Sequence, residues 1–216
     1  QSSLAWKIVD ASDFNKDGKR DLLWRKTNGA LAVWFMDQTN RIGTALLRHG
    51  NPFPTSWRFI GTGDFNADSN EDLLWHNTDR RLATTFLDTT NILGSSFLRE
   101  GHHTGLGWRP VTSHDFDQDG HSDILFQHDD GHLAWWKMNG INFSSSTLLR
   151  NGKSAGPGWR AVGLSDFNND GHKDILLQNS DGRLAAWLMN QTNFLNTVIL
   201  RDGPAHNSGW RIVVVR

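Results

Sequence analysis

An all-β chain, a β-propeller of four-stranded blades, is the fold class this sequence predicts, and three observations predict it. A repeat of 51 residues runs through the chain without a gap. Each copy holds four short β-prone stretches separated by Gly, Asn and Asp. Helix caps followed by apolar residues at a spacing of about 3.6 are missing from every copy. Four antiparallel strands in a repeat of this length are the pattern of one propeller blade.

The copies cover residues 6–56, 57–107, 108–158 and 159–209 of a single domain, 1–216. In each, the first strand starts at a Trp (Trp6, Trp57, Trp108, Trp159) and runs through stretches such as WRFIGTGDF. We expect this Trp column to be blade core. An acidic loop follows: DFNKDGKRD, DFNADSNED, DFDQDGHSD, DFNNDGHKD. The second strand is of the DLLW type. TNG, DDG and SDG then signal a hairpin turn. The third strand, LAVWFM or LAAWLM, is apolar on both faces, as a strand packed between neighbouring blades must be. TALLR, SSFLR, STLLR and TVILR form the fourth, and its Arg (48, 99, 150, 201) lies two residues before a Gly. A fifth copy of the first strand, 210–216, is left over. A single four-bladed ring with a strand docked at its seam is the expectation; a larger propeller or a homodimer would also use the spare strand.

Composition narrows the function. A net charge of -1 offers no strong field to nucleic acid or anionic lipid. No apolar run reaches the length of a membrane span. Without Cys there are no disulfides and no thiolate metal sites. Gln1 at the start fits a processed chain, and NFS (142–144) and NQT (190–192) are glycosylation sequons of a kind that also arises by chance. We expect a secreted, extracellular protein.

The acidic loops place oxygen side chains at every second position, which suits Ca²⁺ with its demand for six to eight hard oxygens. The first offers Asp13, Asn15, Asp17 and Asp21 with a backbone carbonyl near Lys19. The others offer Asp64, Asn66, Asp68, Asn70 and Asp72; Asp115, Asp117, Asp119, His121 and Asp123; and Asp166, Asn168, Asp170, His172 and Asp174. Carboxylates this close repel one another strongly without a cation. An Asx-rich turn that binds nothing is the alternative for one loop, and fourfold recurrence in register argues against it. Ser69 stands where the other loops have Gly, so the second site is expected to be the weakest.

The pattern GDFNxDGxxDLLW…GxLAxWxMNG resembles the FG-GAP, or VCBS-type, repeats of integrin-like β-propellers, and the resemblance covers essentially the whole chain. It implies that the acidic loop joins the first two strands of a blade and holds Ca²⁺. Its closing Asp replaces the Glu that would end an EF-hand loop.

In an up-and-down blade these loops share one rim. The opposite rim carries RKTNGA, HNTDRR, QHDDGH and QNSDGR with the blade crossovers, which vary between copies. Variable polar loops are where function concentrates. Trp24, Arg25, Trp75, His76, Gln127, Trp135 and Gln178 combine aromatic faces with planar polar groups, the chemistry that meets a sugar ring and its hydroxyls. The expected function is a multivalent, non-catalytic lectin for glycans or glycoproteins; a protein-binding adhesion module, or the accessory propeller of a polysaccharide-degrading enzyme, is the alternative. No Ser-His-Asp order and no HExxH appears. Six of the ten His fall between His102 and His132, and we read them as polar loop residues rather than a zinc site.

Overall fold

The computed structural model describes residues 5–201. The fold class is all-β: four antiparallel four-stranded sheets of the propeller-blade type, each ordered as its strands occur in sequence. They are β1 (Trp6–Ser12), β2 (Asp21–Lys26), β3 (Leu31–Asp37) and β4 (Asn40–Leu46); β5 (Trp57–Gly63), β6 (Asp72–Asn77), β7 (Leu82–Asp88) and β8 (Asn91–Phe97); β9 (Trp108–His114), β10 (Asp123–His128), β11 (Leu133–Asn139) and β12 (Asn142–Leu148); and β13 (Trp159–Ser165), β14 (Asp174–Asn179), β15 (Leu184–Asn190) and β16 (Asn193–Arg201). Two compact units emerge, one holding β1 to β8 and the other β9 to β16, apart from the tip Gly140–Asn142, which groups with the first. The spare strand expected at 210–216 lies outside the described residues.

Repetition extends to the irregularities. The first strand of every sheet bulges against the second, at Val9, Ile60, Val111 and Val162. The fourth bulges against the third at Ile42, Leu93 and Leu195, which turn outward to about 60%, 62% and 53% exposure. Bulges increase the local twist that a blade needs. The expected hairpin turns are present: the amide of Lys26 donates to Ala30, Asn77 to Arg81, His128 to His132 and Asn179 to Arg183. Their third residue is left-handed. Gly29 (φ 96°), Gly131 (91°) and Gly182 (92°) take that conformation freely, whereas Arg80 (73°) does so with a side chain.

Two findings differ from the sequence reading. The fourth strand begins earlier than its TALLR-type stretch, and in the first three sheets it stops before the Arg. Arg48, Arg99 and Arg150 lie in left-handed 3-10 turns, and each guanidinium donates to the crossover, to the carbonyls of Pro52, His103 and Ser154. The repeated Arg is therefore a crossover clip. The Trp column is not deep core either: Trp57, Trp108 and Trp159 are half-buried and Trp6 is exposed. The deep core is the third-strand and second-strand apolar set, Leu23, Leu31, Val33, Leu73 and Trp75 in the first unit and Leu125, Leu133, Ile175, Trp187 and Met189 in the second.

Candidate metal loops and binding clefts

All four acidic loops close in one way. The first-position carboxylate accepts from the amides at positions five and six: Asp13 from Asp17 and Gly18, Asp64 from Asp68 and Ser69, Asp115 from Asp119 and Gly120, Asp166 from Asp170 and Gly171. The fifth-position carboxylate accepts from the amide at position seven, that of Lys19, Asn70, His121 or His172. Ser69 adopts φ 62° and keeps the hydrogen bond that Gly makes elsewhere, so the second loop has the same shape at the cost of a strained residue. A Phe after the first Asp pins the loop: Phe14, Phe65 and Phe116 are buried, while Phe167 is 39% exposed.

The ninth-position Asp does more than the sequence suggested. Asp21, Asp72, Asp123 and Asp174 are fully buried. One oxygen of each accepts from the Phe amide of its own loop, and the other from a third-strand amide, that of Met36, Leu87, Met138 or Met189. This carboxylate therefore bolts the loop to β3, β7, β11 or β15. Burial pushes the Asp72 and Asp123 carboxyls up to about 7, against the pull of those amides.

The third loop departs from the rest. Position three is Asn15, Asn66 or Asn168 in three loops, and its amide donates to the fifth-position Asp at 3.0, 2.9 and 2.8 Å. In the third loop position three is Asp117, which has no proton to give. Lys137 stands in β11 where the other sheets have Phe35, Phe86 and Leu188. Its ammonium touches Asp117 and lies 3.0 Å from Asp119. One extra negative charge is thus met by one extra positive charge, and the two carboxylates hold the Lys137 pKa above its usual value.

Ca²⁺ fits the donor set. In the third loop, oxygens of Asp115, Asp117 and Asp123 lie within 4.8 Å of one another, the one such group among the described residues. Asp117 Oδ1 is buried there without a hydrogen-bond partner. The side-chain oxygens at positions one, three, five and nine would hold the ion, and the ion would supply charge neutralisation.

At the opposite end of each sheet the expected sugar column separates by burial. Trp75 and Trp135 are core, and the Trp135 indole donates to Asp123. Gln127 is buried with both amide atoms engaged: Nε2 donates to the Trp159 carbonyl at 2.9 Å and Oε1 accepts from the Ala161 amide at 3.1 Å. Arg25 makes the matching bond to the Trp57 carbonyl at 3.1 Å. Those two residues are ties between adjacent sheets. Trp24, His76 and Gln178 are half-buried. Burial lowers the His76 pKa to about 4, and its Nε2 has no partner.

Two clefts remain. In the second unit a cleft of about 150 Å³ lies among Arg109, Gln127, His128, Asp129, Asp130 and Trp159. Arg109 pairs with Asp129 at 3.1 Å, and Asp130 bridges the Nδ1 atoms of His128 and His132 at 2.8 and 2.7 Å. His128 lies 5.0 Å from the Trp108 ring. In the first unit a larger pocket, about 420 Å³, is lined by aromatic side chains. Neither cleft was legible as a motif, since each is assembled from three or more separated segments.

Comparison with known proteins agrees with the repeat. The model of the FG-GAP-like repeat matches residues 13–75 and 115–177, together more than half of the chain. No curated protein matches the sequence. Among solved structures, the Dos1 propeller is 12% identical with a TM-score of 0.43, over 89% of this chain and 51% of that one, so the chain spans about half its length. The β-propeller domain of Myceliophteria thermophila Cps50 (Swd1) is 11% identical with a TM-score of 0.49, over 92% and 74%.

Proposed function

Because the chain belongs to the FG-GAP-like repeat family and keeps one acidic loop in all four repeats while its other strand ends diverge, we propose that it is a non-catalytic binding module stabilised by Ca²⁺, and that it recognises glycans or glycoproteins outside the cell. The observation that carries the ligand class is the polar cleft of the second unit. It sets the carboxylates of Asp129 and Asp130, the guanidinium of Arg109 and the imidazole of His128 beside the half-buried indole of Trp159. Sugar hydroxyls both donate and accept, so a sugar site needs acceptors and donors together next to an apolar face, and this cleft has them. Several such sites on one body would bind a multivalent surface through effective concentration.

The test is a glycan array followed by calorimetry on the best hit. Asp129→Ala removes an acceptor without touching a buried group and should weaken the hit about tenfold or more. An array without hits, beside capture of a protein partner at a site insensitive to simple sugars, would replace the glycan reading with the adhesion reading.

A further inference from the structure

The aromatic pocket of the first unit invites a different ligand. Phe53 is stacked on Trp75, ring centroids 4.5 Å apart at 28°, and Trp57 and Phe97 also line the pocket. The corresponding place in the second unit explains why there is room. In β15 the residue is Trp187, 2% exposed, with the guanidinium of Arg150 lying 5.2 Å above its ring. In β7 the residue is Thr85, and Arg48, the counterpart of Arg150, lies 5.0 Å over Phe53 at the pocket edge. Phe53 and Trp75 stand where the second unit has Ala155 and Leu177. They take up part of the lost volume and make what remains aromatic.

Polar groups in the pocket are linked in a chain. The Trp75 indole donates to Thr85 Oγ1 at 3.1 Å, and Thr85 Oγ1 lies 3.0 Å from Ser95 Oγ. Either hydroxyl can donate in that pair, and Ser95, which is exposed, can turn its own proton to a ligand when Thr85 donates to it. Arg48 is exposed and spends one N–H, from Nη1, on the Pro52 carbonyl. No Asp, Glu, Asn or Gln lines the pocket. A sugar, whose hydroxyls need acceptors, is poorly served; a ring carrying an anion is well served.

We propose that this pocket binds a small aromatic carboxylate, its ring among the aromatic side chains and its carboxylate on Arg48 and the Ser95 hydroxyl. The site is separate from the glycan cleft and independent of that reading.

Indole-3-acetate is the probe, titrated into the full chain by calorimetry, with neutral indole and N-acetylglucosamine as comparisons. One saturable site per chain is expected, with a dissociation constant on the order of 1 mM or tighter for a ligand of this size. Thr85→Trp, which copies the second unit at this position, should abolish binding in the folded protein. Arg48→Gln should weaken indole-3-acetate about tenfold and leave neutral indole little changed. Absence of saturable binding to the unmodified chain, equal binding by the Arg48→Gln variant, or displacement by N-acetylglucosamine would each overturn the proposal. If Thr85→Trp fails to fold, the Arg48→Gln comparison decides alone.

Discussion

Replacing Lys137 with Leu, the residue at the same place in β15, should turn the third loop into the tightest Ca²⁺ site of the four. The ammonium sits against Asp117 and 3.0 Å from Asp119, where an incoming cation must either displace it or share the carboxylates. A unit charge beside a doubly charged ion at about 4 Å costs about 2 kcal/mol in a water-like dielectric, and partial retreat of the flexible side chain halves that. The variant should therefore bind Ca²⁺ about fivefold to thirtyfold more tightly at this loop. The same change removes a half-exposed ion pair from the metal-free protein, worth about 0.5–1 kcal/mol. Melting in EGTA should then fall by about 1–4 °C, for a chain of this size, while melting in excess Ca²⁺ rises relative to the unmodified chain. Terbium luminescence reads the loop directly, because the Trp135 indole donates to Asp123 at 3.2 Å and is placed to sensitise a bound ion. Equal terbium affinity in the two proteins, or a metal-free melting temperature unchanged by EGTA and by the substitution alike, would refute the reasoning.

Three further outcomes follow. Ser69→Gly should stabilise the second loop by about 0.5–1 kcal/mol, raising the melting temperature by about 2–4 °C per kcal/mol, because Ser69 holds φ 62° where the other loops have Gly; a lower melting temperature would contradict it. For His76, burial lowers the folded pKa to about 4 from 6.5, so the unfolded chain binds the extra proton between those values. Its contribution is complete above about pH 6.5 and is lost as pH falls towards 4, on the order of 2 kcal/mol after allowance for its exposed part; His76→Gln, the residue found at this place in two other sheets, should flatten the melting-temperature slope across that window. Gln127→Ala leaves the Trp159 carbonyl and the Ala161 amide without their partners, and should cost about 2–4 kcal/mol in denaturant unfolding.

The sequence was most informative where one constraint recurs in every repeat. The column of Asp21, Asp72, Asp123 and Asp174 fixes where each acidic loop ends and each second strand starts, so those could be read directly. Side-chain direction was harder. Trp75 and Trp135 look like sugar platforms as letters, but both are buried, and strands apolar on both faces give no hint of which residue meets solvent. Gln127 reads as a surface amide because its partners, Trp159 and Ala161, are more than 30 residues away. The clearest missed signals were departures from a column. Lys137 against Phe35, Phe86 and Leu188, and Thr85 against Trp34, Trp136 and Trp187, were both visible in the alignment of repeats. Each marks a place where one blade has been altered and its surroundings have answered, Asp117 in one case and Phe53 with Trp75 in the other.

Strand length then fixes how metal and ligand can influence each other. The second strands are six residues long, and about 3.3 Å per residue puts the acidic loop about 20 Å from the turn at the other end. At that distance an ion in a loop of the second unit would exert only a screened field on the polar cleft at its turns, since the Debye length is about 8 Å at physiological salt. The coupling that remains is mechanical. The ninth-position Asp holds the loop to the third strand through two backbone amides whether or not a cation is bound, and β7, which begins at the turn, carries both the Leu87 amide held by Asp72 and the Thr85 hydroxyl of the aromatic pocket. Leu87, whose amide the loop's Asp holds, and Thr85, which shapes the pocket, are two residues apart along β7.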